Sequence, residues 1–370
     1  MVTDAIGLYV HIPFCKAKCN YCDFCSSARG VGDYERYTDA LITQIQSYKR
    51  EPKINVGTVF FGGGTPSLLP VRLMKKIVSA IKESFLILPG AELTLESNPG
   101  TLTPESLLAY REMGFNRISI GVQSIHENEL KILGRIHSGE DATAAIRLAR
   151  SAGFININAD LMYGIPEQTV SSFEKTLDRV IAAEPTHISC YGLMLEEGTP
   201  LYAKRDSLVF PTEDEECLMY ELAAEKLSLS GFEHYEISNY AKSGFYCFHN
   251  LVYWHMDEYI GLGLAAHSFF GEKRYSSTES FSEYLQDPCV KYVLDEDPEP
   301  AFEYAMLRLR LKEGISLAEY ESLFGVPFGE GREDKIESYK RLGYLTLSDG
   351  RLSLTERGFY VSNTILSELL

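Results

Sequence analysis

No stretch of 18 or more apolar residues occurs in this sequence, and its basic residues are outnumbered by its acidic ones. The first absence excludes a membrane-spanning helix, which needs about 20 apolar residues in a row. The second, 35 Lys and Arg against 52 Asp and Glu, gives a formal net charge of -17. A chain this acidic repels phosphate backbones, so nucleic acid is excluded as a primary ligand.

The N-terminal residues lack the features of an export signal. The stretch "MVTDAIGLYV" has neither a basic start nor a cleavage site, so we expect no signal peptide and a cytoplasmic location. The eight cysteines would then meet reducing conditions. Clustered thiols in such a compartment serve as metal or redox ligands more often than as disulfides.

Short runs rich in β-forming residues alternate with longer amphipathic runs. Strands are predicted at residues 6–10, 56–61, 92–96, 117–121, 155–161, 187–192 and 234–238. Helices are predicted at residues 34–49, 71–86, 104–113, 139–152, 170–183 and 214–230, with Thr103 and Thr212 as caps. The alternation predicts an α/β fold with a parallel sheet, doubly wound or barrel-like. Both architectures place functional residues on the loops after the strands' C-terminal ends.

The C-terminal part of the chain has a different pattern. The acidic, proline-bearing stretch "LDEDPEPA" at 294–301 is typical of a linker. Three helical runs and a two-stranded turn at "LSDGRL" follow, an order typical of a small winged-helix-like module. Residues 301–370 hold nine basic against eleven acidic residues, so we expect a packing or partner-contact domain rather than a DNA-binding one.

Four cysteines occupy eleven positions in the stretch "HIPFCKAKCNYCDFC": Cys15, Cys19, Cys22 and Cys25. Soft thiolates favour iron–sulfur clusters, zinc or Cu(I). A structural zinc site usually has two separated ligand pairs, and no second Cys or His pair of such spacing follows. Three thiolates on an iron–sulfur cube would leave one iron open to a small molecule. A redox CxxC pair or four incidental thiols is the alternative interpretation.

The spacing Cys-x3-Cys-x2-Cys directly after the first predicted strand resembles that of the radical S-adenosylmethionine (SAM) superfamily. The surrounding "YVHIPFCKAKCNYC" resembles the branch that contains oxygen-independent coproporphyrinogen III oxidases and heme chaperones of the HemW type. The resemblance covers most of the chain, including the C-terminal module. It implies that Cys15, Cys19 and Cys22 ligate a [4Fe-4S] cluster, whose open iron is chelated by the amino and carboxylate groups of SAM.

The same resemblance implies the division of the chain. Residues 1–240 would form a partial (β/α)6-type radical SAM barrel. Residues 241–295 would form a connecting segment, and residues 296–370 a small C-terminal α+β domain of the winged-helix-like kind.

The resemblance further implies SAM contacts at the ends of successive predicted strands. The turn "FGGGTP" lets a backbone approach a ligand closely. Glu96 would pair with the SAM ammonium, and Asp160 with the ribose hydroxyls, as carboxylates do in dinucleotide folds. Arg135 carries a planar donor fork suited to a carboxylate. The implied SAM residues are Tyr9, Tyr21, Gly63, Gly64, Thr65, Glu96, Gln123, Arg135 and Asp160.

Two functions are open within this branch. An oxidase would use a SAM-derived radical to decarboxylate coproporphyrinogen III to protoporphyrinogen IX, whereas a chaperone would bind heme and transfer it to acceptor hemoproteins. Three features favour the chaperone. The cluster motif begins at Cys15 without an N-terminal extension, Phe24 replaces the oxidases' extra cysteine, and "CFHNLVYWH" contains a HemW-like HNxxYW motif. We therefore expect heme and acceptor hemoproteins as partners, while productive cleavage of SAM and a peripheral membrane association stay open.

The HNxxYW motif supplies the candidate heme ligand, His249. Neutral imidazole is the usual axial ligand of heme iron, and neighbouring aromatic side chains suit a porphyrin face. By its residues alone this histidine would be interpreted as an ordinary half-buried one, and only the resemblance favours heme. His255 and Cys247 are alternative ligands, and His267 in "GLAAHSF" is a weaker one.

Overall fold

The computed structural model describes residues 5–294 and 299–370. Its strands are β1 (Ile6–Ile12), β2 (Asn55–Gly63), β3 (Leu86–Ser97), β4 (Arg117–Gln123), β5 (Asn156–Tyr163), β6 (His187–Gly192), β7 (Glu233–Glu236), β8 (Asn239–Ala241), β9 (Tyr259–Leu262), β10 (His267–Phe269), β11 (Arg274–Ser276), β12 (Tyr292–Val293), β13 (Ile315–Ser316), β14 (Leu345–Ser348) and β15 (Arg351–Leu354).

The helices lie between and after these strands. They are α1 (Val31–Gln46), α2 (Val71–Ser84), α3 (Pro104–Met113), α4 (Glu127–Leu133), α5 (Gly139–Ser151), α6 (Val170–Ile181), α7 (Glu213–Leu229), α8 (Phe248–Trp254), α9 (Phe281–Gln286), α10 (Pro300–Arg308), α11 (Leu317–Phe324), α12 (Glu333–Arg341), α13 (Glu356–Tyr360) and α14 (Ser362–Leu369). Two short 3-10 helices span Pro66–Leu68 and Tyr202–Ser207. No helix of the described residues is long and apolar enough to cross a membrane.

The main sheet is built around six parallel strands, β1 to β6, which are neighbours in chain order. At least one helix follows each of the first five strands before the next begins. The full order is β12-β11-β10-β9-β1-β2-β3-β4-β5-β6-β8-β7, and the described strands at its two ends do not pair with each other. The fold is thus the predicted α/β partial barrel, in the form of an open sheet.

Burial explains why the strands could be recognised in the sequence. A parallel sheet covered on both faces requires near-continuous apolar strands, and every residue of β4 is buried. The helices show the complementary pattern, as in α2, where Leu73, Ile77 and Ile81 lie on one buried face. Both predicted caps are confirmed, because Thr103 Oγ1 accepts a hydrogen bond from the Ser106 amide and Thr212 Oγ1 accepts one from the Glu215 amide.

Residues 241–295, predicted as a connecting segment, contribute four strands to the main sheet. Strand β9 pairs in parallel with β1, from Gly7 opposite Tyr259 to Val10 opposite Leu262. Strands β10, β11 and β12 then continue the sheet in antiparallel order. The predicted strand at 234–238 corresponds to β7, which is antiparallel to β8 at the other end of the sheet. Of the linker predicted at 294–301, residues 295–298 lie outside the described residues, whereas Pro300 and Ala301 begin helix α10.

The C-terminal residues form a second, smaller sheet of order β13-β15-β14, with helices α10 to α14 around it. A separate apolar cluster, which includes Leu309, Phe328 and Leu352, is buried beneath it. Strands β14 and β15 form the hairpin that the "LSDGRL" turn predicts. This small α+β unit agrees with the predicted winged-helix-like domain.

Candidate functional site

The three predicted cluster ligands lie on one loop that leaves the C-terminal end of β1. Backbone hydrogen bonds close the base of this loop, since the Cys15 amide donates to the Ser27 carbonyl at 3.1 Å and the Ser27 amide donates to Pro13 at 2.9 Å. Cys15, Cys19 and Cys22 are free thiols that line one cavity of about 620 Å³. The loop therefore presents three thiols to a single space at the edge of the sheet.

Among the described residues, no three His, Cys, Asp or Glu side chains come close enough together to hold a single metal ion. In a multi-iron cluster each thiolate binds its own iron, so three thiols that line one cavity suit such a cluster. The donor set and its arrangement fit a [4Fe-4S] cluster held by three thiolates.

The "FGGGTP" turn supports the cysteine loop from below. The Gly64 amide donates to the Ile12 carbonyl at 2.9 Å, and the Thr65 amide donates to the Phe14 carbonyl at 2.7 Å. A Cβ atom at Gly64 would lie 2.7 Å from the Phe14 carbonyl oxygen, so only glycine allows this approach. Gly63, Gly64 and Thr65 also line the 620 Å³ cavity, where the resemblance places SAM.

Glu96 lies in the cavity wall at the end of β3. Its Oε2 accepts a hydrogen bond from the Gly63 amide at 3.1 Å. Burial, together with the nearby Asp160 carboxylate, raises the pKa of Glu96 to about 8 against the opposing effects of the Gly63 amide and Arg117. A buried carboxyl without a paired cation is the group that a ligand ammonium would stabilise in its ionised form.

Asp160, on β5, lines the same cavity. It accepts hydrogen bonds from Ser119 Oγ at 3.0 Å and from Asn158 Nδ2 at 2.7 Å. Burial raises the pKa of Asp160, and these two donors oppose that rise. The neighbouring strands β4 and β5 thus hold this carboxylate in a fixed orientation toward the cavity.

The Arg135 guanidinium donates hydrogen bonds to other groups of the protein. Its Nη1 donates to Cys19 Sγ at 3.6 Å, and its Nη2 donates to the Asn98 side-chain oxygen and to the Gly121 carbonyl. Asn98 in turn donates to Thr65 Oγ1 at 2.8 Å, and Thr65 Oγ1 lies 3.8 Å from Cys15 Sγ. A chain of hydrogen bonds therefore joins two of the cluster thiols.

Asn98 is a residue of this site that the sequence interpretation did not single out. It stands two positions after Glu96 in "LESNP", so its place near a strand end was the available signal. Gln123 also lines the cavity, where its Oε1 accepts a hydrogen bond from the Tyr191 hydroxyl at 3.1 Å. Tyr21 lines the same cavity, and burial raises the pKa of its hydroxyl.

A second cavity of about 540 Å³ adjoins the first and shares Phe24, Gly63 and Glu96 with it. Tyr9, implied as a SAM residue, lies in this second space and outside the lining of the first. We call the second space the aromatic cavity, because its lining includes the rings of Tyr9, Phe24, Phe60, Tyr253 and Tyr259. Cys25 also lines it, apart from the three cluster thiols.

His249 lies in the wall of the aromatic cavity and is only 1 % exposed. Its Nδ1 is 2.8 Å from Thr58 Oγ1, and its Nε2 is 2.8 Å from the Tyr253 hydroxyl. Burial lowers the pKa of His249 to about 3, so the ring is neutral, with one nitrogen as donor and the other as acceptor. Ligation of iron by His249 stays a prediction, and it would require one of these hydrogen bonds to break.

The other ligand candidates are placed differently. Cys247 is fully buried, lies 3.7 Å from Glu92 Oε1 and has its thiol pKa raised by burial to about 12. His255 lines a third cavity, of about 610 Å³, and its Nε2 is 3.2 Å from Glu313 Oε1. His267 lies exposed at the aromatic cavity. Of the three alternatives, only His267 lines the same space as His249.

Comparison with known proteins identifies the families that this chain resembles. Residues 9–180 match the model of the radical SAM superfamily, and residues 296–361 match that of the HemN C-terminal domain. The heme chaperone HemW of Escherichia coli is 35 % identical over 99 % of this chain and 98 % of its own length. The heme chaperone HemW of Synechocystis is 37 % identical over 85 % of this chain and 80 % of its own length.

Among solved structures, the coproporphyrinogen III oxidase HemN of Escherichia coli, a radical SAM enzyme, matches with a TM-score of 0.84. The match covers 98 % of this chain and 89 % of that one at 23 % identity, so it shows a shared fold. The two HemW relatives, which are more similar in sequence to this chain, support assignment to a family within the superfamily. With its three-thiol loop, its strand-end carboxylates and this degree of identity, the chain belongs to the HemW family of the radical SAM superfamily.

Proposed function

We propose that this protein binds heme and passes it to acceptor hemoproteins, with a SAM-bound [4Fe-4S] cluster in the neighbouring cavity. The observation that carries the proposal is the aromatic cavity beside the three-thiol cavity. Its volume of about 540 Å³ lies in the range of small-molecule sites. Flat aromatic walls suit the two faces of a porphyrin. The relatives named heme chaperone HemW support the same assignment.

The residues of the first cavity would divide the binding of cluster and SAM among them. Cys15, Cys19 and Cys22 would each hold one iron, and the chemistry that such a cluster supplies when bound is electron transfer to SAM. Glu96 would accept a hydrogen bond from the amino group of SAM, and its ionisation would accompany binding. Asp160, already held by Ser119 and Asn158, would accept hydrogen bonds from the ribose hydroxyls.

Arg135 would act on the cluster side of SAM. Because it donates to Cys19 Sγ, it would stabilise the negative charge of that thiolate as well as a nearby carboxylate. Gln123 would contribute its amide at the end of β4.

Heme binding and transfer test the proposal directly. The full chain, with its cluster reconstituted anaerobically, should bind hemin with a defined Soret band in the difference spectrum against the heme-free protein. On mixing with an apo-hemoprotein, the Soret band should change to that of the acceptor. Absence of hemin binding would overturn the proposal.

The oxidase function is separated by a second assay. Anaerobic incubation with coproporphyrinogen III, SAM and a reductant should release no carbon dioxide above the level without protein. Release of carbon dioxide in step with formation of protoporphyrinogen IX would replace the chaperone assignment by that of an oxidase.

We also infer that the protein works in the cytoplasm, because the cluster thiols must stay reduced to bind iron. All eight cysteines lie among the described residues as free thiols. Detection in the soluble fraction, rather than with washed membranes, would be the expected result of cell fractionation.

A further inference from the structure

Hydrogen bonding distinguishes the three histidines that line the aromatic cavity, His11, His249 and His267. Both ring nitrogens of His11 are held, Nδ1 by the Tyr9 hydroxyl at 3.0 Å and Nε2 by the Cys25 carbonyl at 2.9 Å. Both nitrogens of His249 are held, one by Thr58 and one by Tyr253.

His267 lies on β10 with its side chain exposed. No hydrogen bond to the His267 ring is formed by the residues that the structure describes. An imidazole without a partner in the protein can offer a ring nitrogen to a metal.

The backbone that carries His267 is held firmly. It pairs with Ser276 of β11 on one side. On the other side the chain of β9 comes so close that a Cβ atom at Gly261 would lie 2.1 Å from the His267 carbonyl oxygen. The Gly261 amide also donates to Ser268 Oγ at 2.9 Å. The imidazole therefore projects from a fixed strand, as a ligand with a defined position requires.

We propose that His267, rather than His249, provides the axial ligand of heme iron in the aromatic cavity. The inference rests on the proposed heme-binding function and assigns a residue to it. Tyr253 and Tyr259 would form part of the wall against the porphyrin. His249 would act as a positioning residue, because it is stacked on Phe60 at 5.1 Å between ring centroids and is hydrogen-bonded to Tyr253.

An exposed ligand also agrees with transfer of heme. A buried ligand would have to be released by opening the protein, which costs the packing around it. The His267 ring can be reached by a competing side chain of an acceptor without disturbance of the sheet. Replacement of the exposed bond between His267 and the heme iron by a bond to the acceptor is thus the simplest first step of heme transfer that this geometry permits.

The test uses the full chain with its cluster reconstituted and SAM bound. Hemin is titrated into the wild-type protein and the His267→Ala variant, followed by difference absorption spectra and by electron paramagnetic resonance of the ferric iron. We expect the variant to show a shifted Soret band, an altered spin state and an affinity weakened about tenfold or more, since loss of even an outer-shell partner costs that much at metal sites. Added imidazole should restore the wild-type spectrum.

Two further histidine variants serve as controls. His255→Ala removes an imidazole of the third cavity and should leave hemin binding unchanged. His249→Gln keeps hydrogen-bonding groups near Thr58 and Tyr253 and should retain the wild-type spin state. Cluster content and circular dichroism establish that each variant is folded.

The outcomes distinguish the inference from the function on which it rests. If wild type and His267→Ala bind hemin with the same spectrum, spin state and affinity, His267 is not the ligand and the heme-binding function still stands. If His249→Gln alone changes the spin state, the ligand is His249 and the inference is overturned. If the wild-type protein binds no hemin, the proposed function itself fails.

Discussion

Replacement of Gly64 by alanine tests how the glycine turn controls the cluster loop. The new Cβ would lie 2.7 Å from the Phe14 carbonyl oxygen and 2.8 Å from that of Ile12. Both are backbone atoms, so no side chain can rotate away to make room. An ordinary van der Waals contact of a Cβ atom is at least 3.4 Å, whereas only 2.7 Å is available here. The glycine turn and the cysteine loop must therefore separate by about 0.7 Å.

That separation would weaken both hydrogen bonds between the turn and the loop. They now measure 2.9 Å, from Gly64 to Ile12, and 2.7 Å, from Thr65 to Phe14. Each such bond contributes about 1 kcal/mol, and overpacking of a close-packed site costs about 1–3 kcal/mol. We therefore expect the free energy of unfolding to fall by about 2–4 kcal/mol. Because Phe14 directly precedes Cys15, cluster assembly should suffer as well.

Urea denaturation of the cluster-free protein measures the first effect, and iron and sulfide per chain after reconstitution measure the second. Gly32→Ala is the matched control, because it places a Cβ in open space within α1. It should be neutral or stabilise the protein by up to about 1 kcal/mol. A Gly64→Ala protein with the stability and cluster content of Gly32→Ala would refute the packing interpretation.

Serine in place of any one of the three cluster cysteines should abolish assembly of the 4Fe cluster, whereas Cys25→Ser should assemble it normally; anaerobic iron and sulfide analysis decides. SAM should bind more tightly as the pH rises through about 8, where Glu96 ionises, and Glu96→Gln should remove this pH dependence in calorimetric titrations. The folded-state pKa of Glu96 lies above its unfolded value of 4.5, so the ligand-free protein should lose stability as the pH rises from 4.5 to 8, and Glu96→Gln should flatten that slope. Asn98→Ala should lower the free energy of unfolding by about 1–2 kcal/mol and change the electron paramagnetic resonance spectrum of the reduced cluster. An unchanged spectrum would contradict the role of Asn98 in the hydrogen-bond chain between the two thiols.

The long parallel strands and their helices were predictable because each carries its own periodic pattern. Burial gives a strand such as β4 its apolar residues Ile118, Ile120 and Val122, and makes a helix such as α2 apolar on one side. The edge strands were missed because such a pattern needs more residues than they have. Strands β10, β11 and β12 have two or three residues each, too few for any period to appear.

All the predicted SAM residues except Tyr9 line one cavity, and Asn98 is an additional residue of its lining. Parallel strands bring their C-terminal ends to one edge, which gathers Glu96, Gln123 and Asp160 around one cavity. Tyr9 lies instead on the aromatic cavity next to it. Asn98 was missed because an amide in a loop carries no chemical signal until its partners, Thr65 and Arg135, are known.

By itself, the sequence determined the spacing of the three cluster thiols and the strand–helix order behind them, since both are properties of neighbouring residues. Only the tertiary structure decided which histidine rings at the aromatic cavity are hydrogen-bonded within the protein. His249 meets Thr58 across 191 positions of sequence, because α8 packs on β1 and β2. His267 is carried by an edge strand whose place in the sheet depends on its pairing with β9 and β11. Whether each of these rings is hydrogen-bonded within the protein therefore depends on long-range packing, which no local pattern records.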